Sequence, residues 1–101
     1  MASSRRVLEG TQPQGEDEAI RYRLACTPAA VSVVDVTVYD ETDGEDVTAA
    51  VLAAGEATVS GGAITLPLLS GLTARHIYRV EVRYSDGTNT LEPYFQVQAE
   101  R

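Results

Sequence analysis

Short runs of alternating apolar and polar residues, separated by turn-forming residues, repeat along most of the chain. Strict alternation places successive side chains on opposite faces of a strand, so one face of each run can be buried. The runs are rich in Val, Tyr and Thr, and Gly, Asp or Pro interrupts them about every ten residues. This pattern predicts an all-β domain, either a sandwich or a small barrel, and we expect an antiparallel sandwich of about seven strands.

The predicted strands cover most of the chain beyond residue 17. They lie at 18–27, 31–39, 47–52, 56–60, 63–69, 78–84 and 90–99. The segment 47–52 is ambiguous, because its alanines also suit a turn or two of helix. We predict a strand there, since its neighbours require sheet pairing.

One face of each predicted strand supplies a candidate core. In 31–39, for example, Val34, Val36 and Val38 are expected inside, and Val33 is expected outside. Cys26 falls at an inward position and is interpreted as a small core residue. The predicted core consists of Ile20, Tyr22, Leu24, Val34, Val36, Val38, Ile64, Leu66, Leu72, Tyr78, Val80, Val82, Phe95 and Val97.

Two segments carry strong signals for tight turns between strands. Ser60-Gly61-Gly62 offers two residues that accept a positive φ without steric cost. Ser85-Asp86-Gly87-Thr88 has the Asp-Gly pair that is typical of hairpins. Both segments are therefore expected to connect antiparallel neighbours.

The first 17 residues differ in composition from the rest. We divide the chain into an extended N-terminal arm, 1–17, with a possible short strand at Val7-Leu8, and a sandwich domain, 18–101. Arg5-Arg6 could begin a signal peptide, but Glu9 follows Val7-Leu8 at once, so no apolar segment of the required length exists. We expect synthesis in a host cytoplasm without a signal peptide, and no membrane helix.

Charge and cysteine content exclude several classes of partner and chemistry. The chain has fifteen acidic and eight basic residues, a net charge of −7, which repels nucleic-acid phosphates. Cys26 is the single cysteine, so no internal disulfide can form. We expect no nucleic-acid, membrane or small-molecule partner.

No set of residues predicts catalysis. His76 is the single histidine and has no neighbouring nucleophile motif, so it is interpreted as a surface or loop residue. The acidic segment 40–46 superficially resembles a calcium loop but lacks the closing Glu, and it is interpreted as a solvated turn. We expect no enzyme activity, no cofactor and no metal, with calcium at 40–46 left open.

The stretch from Leu72 to Val82 resembles the region between strands E and F of fibronectin type III domains. Leu72 precedes Tyr78 by six residues, and Val80 and Val82 alternate after it. The resemblance implies an immunoglobulin-like sandwich with a tyrosine corner at Leu72 and Tyr78, in which the buried Tyr hydroxyl bonds to backbone upstream. The chain lacks the early-strand Trp of that family, and Tyr22 is expected to occupy its place.

A second resemblance covers most of the chain. The order of Leu8-Glu9-Gly10, the acidic hinge, Val38-Tyr39-Asp40, Val59-Ser60-Gly61 and the strand from Tyr78 to Tyr84 is similar to that of small structural proteins of tailed bacteriophages. The resemblance implies a virion protein of the capsid decoration, the head–tail neck or the tail. Its partners would be other virion proteins and copies of itself.

Charged rows on the predicted strands suggest how copies could meet. Arg79 and Arg83 alternate with Glu81 on an outward face, which is typical of a solvated sheet surface. Alternatively, the Arg row of one copy meets the acidic turn of the next. The candidate subunit contacts are Arg5, Arg6, Val7, Leu8, Arg79, Arg83, Asp43 and Asp46.

A different class of function stays open. Tyr39 and Tyr94 are expected to be exposed, and tyrosine rings can stack on sugars. The alternative to a virion component is therefore a stand-alone adhesion or carbohydrate-binding module.

Overall fold

The computed structural model describes residues 12–26 and 29–101, which form nine strands and one short helix. The strands are β1 (Gln12–Gly15), β2 (Arg23–Ala25), β3 (Ser32–Asp40), β4 (Glu45–Asp46), β5 (Thr58–Ser60), β6 (Ala63–Thr65), β7 (Ile77–Ser85), β8 (Thr90–Leu91) and β9 (Tyr94–Glu100). The helix α1 (Thr48–Val51) lies between β4 and β5. The predicted all-β class is confirmed, and no helix within the described ranges is long and apolar enough to cross a membrane.

The larger of two sheets has the order β1-β9-β7-β3-β4, with β8 paired to β7. Its centre is the antiparallel pair β3–β7, which runs from Ser32↔Ser85 to Asp40↔Tyr78. At one edge, β1 pairs with β9 in parallel, so this sheet is mixed and not purely antiparallel as predicted. The smaller sheet is antiparallel, with the order β2-β6-β5.

The hydrophobic core lies where the inner faces of these strands meet. Of the fourteen predicted core residues, ten are buried, and Tyr22 and Val36 are partly buried and pack against them. Ile20 is half-buried and forms an isolated bridge to Leu69. Further buried hydrophobic residues are Ala30, Val51, Ala63, Leu69, Tyr84 and Ala99.

The inward position predicted for Val34 is wrong. The side chain is 54% exposed, while its neighbour Val33 packs against the core. The register between β3 and β7 shifts between Val33 and Asp35. Such a bulge inserts one residue into the alternation and turns the preceding side chains to the other face.

The strand predicted at 47–52 is also wrong, because α1 occupies Thr48–Val51. Val51 is buried, and the Leu52 N–H donates to Thr48 O. Leu52 then pairs with Leu69 through a single bridge. The alanines allow the helical turn, and the tertiary contact of Val51 with the core favours it over sheet pairing.

Part of the predicted arm lies within the larger sheet. β1 occupies Gln12–Gly15, and Gln14 is 1% exposed. The Gln14 side chain donates to Leu69 O (2.7 Å) and Glu18 O (3.0 Å), and it accepts from the Tyr22 hydroxyl (2.9 Å). The possible strand at Val7-Leu8 lies outside the described residues.

Both predicted tight turns are confirmed as hairpins. Ser60 pairs with Ala63 across Gly61 and Gly62, whose φ values are +59° and +79°. Positive φ at both central residues is typical of the type I′ turn, whose twist matches that of the two strands it connects. In the second hairpin, Ser85 pairs with Thr90.

The segment before β7 is fixed by a buried tyrosine. Tyr78 is 2% exposed, and its hydroxyl accepts a hydrogen bond from the Thr73 N–H at 2.7 Å. Leu72 is buried beside this turn. Tyr22 packs against another aromatic residue of the core, since the Tyr22 and Phe95 ring centroids are 5.0 Å apart.

Candidate functional site

The outer edge of β3 is closed at one end and open at the other. At the closed end, β4 pairs with Tyr39 and Asp40. The Val38 N–H donates to Thr48 Oγ1 (2.8 Å), and Val38 O accepts from the Val47 N–H (2.9 Å). Among the described residues, no strand pairs with this edge of β3 before Tyr39.

Backbone groups at the open end face away from β7. Val38 directs both of its polar groups to the outer side, and alternate residues of an antiparallel ladder do the same. Val36 therefore presents its N–H and C=O to the open edge. No described residue outside β7 pairs with these groups, and edge groups of this kind are a template for another strand.

An open groove of about 420 Å³ runs along this edge. One wall is β3 from Val33 to Val36, and the other is formed by α1 and the segment 52–57. Eight of the twelve lining residues are apolar, and two exposed carboxylates, Asp35 and Glu56, give the groove an acidic rim.

Exposed valines mark the same end of β3. Val31 is 63% exposed and Val34 is 54% exposed, and both are among the exposed large hydrophobic residues of the described chain. An open strand edge beside exposed aliphatic side chains is a feature of surfaces that bind other proteins.

Arg79 lies at the centre of the outer face of the larger sheet. Its guanidinium lies 5.3 Å from the centroid of the Tyr94 ring and 6.0 Å from that of Tyr39. Its Nε is 3.1 Å from Glu81 Oε2 and 3.9 Å from Glu41 Oε2. The charge of Arg79 is therefore largely matched within its own chain.

Arg83 has carboxylate partners in the chain as well. Its guanidinium lies 3.2 Å from Glu92 Oε2 and 3.5 Å from Asp35 Oδ2. The hydrogen bond to Glu92, with Asp35 nearby, raises the pKa of Arg83 above its usual value. Since both arginines are paired locally, the Arg row is a weaker candidate for contact with another copy's acidic turn than the sequence suggests.

The acidic turn contains a buried carboxylate, which corrects its interpretation as wholly solvated. Asp40 is 4% exposed. Its Oδ1 accepts from the N–H groups of Thr42 and Asp43. Its Oδ2 lies 2.7 Å from His76 Nδ1, so His76 joins this turn to the segment before β7.

The pair has shifted pKa values. Burial opposes ionisation of Asp40, but the hydrogen bonds from His76 and from the backbone of Asp43 and Thr42 outweigh it and lower the pKa of Asp40. The hydrogen bond with Asp40 raises the pKa of His76 against a smaller desolvation effect. Both shifts favour the ionised pair.

Asp40, Asp43 and His76 place three potential metal-ligand atoms within 4.8 Å of one another. Calcium requires six to eight oxygen ligands, and this group offers two carboxylates and an imidazole. Every contact of Asp40 described above is also explained by hydrogen bonding within the chain. The arrangement is that of a structural carboxylate–imidazole link.

The remaining predicted contact residues are dispersed. Asp43 is exposed in the acidic turn, 3.9 Å from His76. Asp46 Oδ1 accepts from the Thr48 N–H and hydroxyl at the start of α1. Arg5, Arg6, Val7 and Leu8 lie outside the described residues.

The groove at β3 was not predicted from the sequence, because the alternation of apolar and polar residues gives no sign of the bulge that exposes Val34.

Comparison with known proteins gives no assignment: no protein-family model, no curated protein and no solved structure matches the chain.

Proposed function

We propose that the chain is an immunoglobulin-like sandwich that acts as a structural component of a tailed-phage particle. It works in many copies, through contacts with copies of itself and with other virion proteins. The observation that carries the proposal is the open, valine-lined edge of β3, since such an edge binds protein chains.

The strand order supports the immunoglobulin-like part of the proposal. In immunoglobulin variable-type domains one sheet contains strands G, F and C, extended by C′, and the other contains B, E and D. The order β9-β7-β3-β4 against β2-β6-β5 corresponds to this arrangement. The hydrogen bond from the Thr73 N–H to the hydroxyl of Tyr78, at the start of β7, supports a tyrosine corner at this position.

The phage part of the proposal rests on the resemblance of segment order described above. The net charge of −7 is consistent with a protein that meets other proteins and not nucleic acid. The larger sheet also presents an outer face whose charges are matched within the chain, so it can approach another protein without leaving many unpaired charges.

Labelling of purified particles tests the phage assignment. An antibody against the chain should decorate particles prepared from the cells that encode it, and quantitative mass spectrometry should find many copies per particle. A chain that is present in the cell lysate but absent from purified particles would contradict the assignment.

Sedimentation velocity tests the multi-copy part. From about 1 µM to about 1 mM, the full chain should form species heavier than the 10.8 kDa monomer. Val34→Glu should shift the distribution toward monomer, and Thr88→Glu, in an exposed turn, should not. A chain that is monomeric over this whole range would argue against self-assembly.

One observation favours the alternative, a carbohydrate-binding module. Tyr39 and Tyr94 flank Arg79 on one face, which is a combination of aromatic and charged groups that sugars can contact. A glycan array probed with the full chain should then give hits that Tyr39→Ala removes and Thr88→Ala retains. An array without hits would contradict the carbohydrate-binding alternative, and the protein-binding proposal would remain.

A further inference from the structure

We infer that the groove at the open edge of β3 binds the N-terminal arm of a second copy, residues 1–11, as an added strand. The inference rests on the proposed function, because it names the contact through which copies would assemble. It also assigns a role to Val7-Leu8 and Arg5-Arg6.

The first argument is the match between the groove and an extended segment. Val36 presents backbone N–H and C=O groups to the groove, and an added strand satisfies such groups. α1 and the segment 52–57 form the opposite wall, so the space suits one extended segment better than the edge of a whole second sheet.

The second argument is chemical complementarity. The arm has one apolar pair, Val7-Leu8, for the aliphatic lining and the exposed Val34. It has a basic pair, Arg5-Arg6, for the acidic rim. Of the two rim carboxylates, Asp35 is shared with Arg83, so Glu56 is the better partner for the arm.

The third argument is reach, which favours an intermolecular contact. Gln12 lies at the edge of the sheet opposite to β3, where it pairs with Val97. Three strand spacings, about 14 Å, separate β1 from β3, and the groove lies beyond β3. The five residues from Gln12 to Val7 span at most about 18 Å, and a path over the sheet face must also clear its side chains. The arm therefore reaches the groove of another copy more readily than its own.

Cross-linking between separately labelled chains tests the contact directly. All chains carry Cys26→Ala. One isotopically heavy pool carries Val7→Cys, and one light pool carries Val34→Cys. After mixing, a short bis-maleimide should give a heavy–light dimer, identified by mass. Thr88→Cys in place of Val34→Cys is the control and should give at least about tenfold less product.

Charge exchange gives a second, independent readout by sedimentation of the full chain. The double variant Arg5→Glu/Arg6→Glu should weaken self-association by about tenfold, and adding Glu56→Arg should recover part of the loss. Because Glu56 is exposed, its reversal to Arg tests contact and not folding.

The outcomes separate this inference from the proposed function. A heavy–light dimer together with charge rescue supports arm binding. Equal cross-linking at Val34 and Thr88, or self-association unchanged by the arm variants, overturns arm binding but leaves a chain that self-associates by another surface. Particles that contain the chain but show no Val7–Val34 cross-link also overturn the inference while the virion assignment stands.

Discussion

The two edges of the larger sheet are closed in different ways. At the β1 edge, the buried side chain of Gln14 bonds to the backbone of Glu18 and Leu69 and to the Tyr22 hydroxyl. At the β3 edge, Thr48 and β4 close only the stretch from Val38 to Asp40. One edge is therefore fixed by a buried hydrogen-bond network, whereas the other, among the described residues, keeps an open stretch before Val38.

The hydroxyl of Tyr22 remains a hydrogen-bond donor to Gln14 over a wide pH range. Burial, and then the nearby carboxylate of Glu18, raise the pKa of Tyr22 to about 12. The hydroxyl therefore stays protonated over the whole physiological range and can donate to Gln14 Oε1. This makes the network at β1 insensitive to pH, unlike the Asp40–His76 link at the other side of the sheet.

Gln14→Leu should have the largest effect on stability. It removes the side-chain donor to the Leu69 carbonyl, which keeps only the Ile20 N–H, and it leaves the Tyr22 hydroxyl without its acceptor. We expect a loss of about 2–3 kcal/mol in the free energy of unfolding in urea. Gln98→Leu, at an exposed position of β9, is the matched control. Similar losses in both variants would show that the network does not close this edge.

Substitution by alanine should reduce the free energy of unfolding by very different amounts at two valines of β3. Val38 is fully buried, and Val38→Ala should cost about 2 kcal/mol. Val34→Ala should change the unfolding free energy by less than about 0.5 kcal/mol, since Val34 is 54% exposed. Equal costs for the two substitutions, measured in the same denaturation series, would mean that Val34 is covered in solution.

Thr48→Val should extend the open part of the β3 edge. The Val38 N–H loses its acceptor, and we expect a loss of about 1 kcal/mol. Hydrogen exchange of the Val38 amide should become faster, while amides of β1 remain as slow as before. Thr58→Val, on exposed β5, is the control and should leave exchange at Val38 unchanged.

The smallest expected effect is the pH dependence of the Asp40–His76 link. The pKa of His76 is raised above 6.5, so its contribution is complete below that pH and is lost as the pH rises through the raised value. The pKa of Asp40 is lowered below 3.8, so its contribution is present above 3.8 and is lost as the pH falls through the lowered value. The link therefore stabilises most between these limits.

Thermal unfolding of the wild type and of His76→Gln measures this dependence. The difference in Tm should be largest near pH 5–6 and should shrink toward pH 9. Arg21→Gln removes a charge from an exposed site and controls for general charge effects. A difference that is constant from pH 5 to pH 9 would show that the charge of His76 does not contribute.

Periodicity predicted most strands but not their exact extent. In the described part of the segment 18–27, only Arg23–Ala25 is a strand, with a single bridge at Ile20. The segment 90–99 is divided into β8 and β9 around Pro93. Proline has no N–H to donate to a neighbouring strand, so its position in the sequence indicates where strand pairing can be interrupted. Whether pairing is interrupted there also depends on the strand that lies beside it.

What the sequence determined by itself was local: alternation predicted the all-β class and most of the core, and paired glycines and Asp-Gly predicted two hairpins. Tertiary structure decided the helical turn at Thr48–Val51, the bulge that exposes Val34 and the burial of Gln14 and Asp40. These features depend on partners far along the chain, such as Leu69 for Gln14 and His76 for Asp40. A polar side chain is buried only where such partners satisfy it, and a local pattern does not specify them.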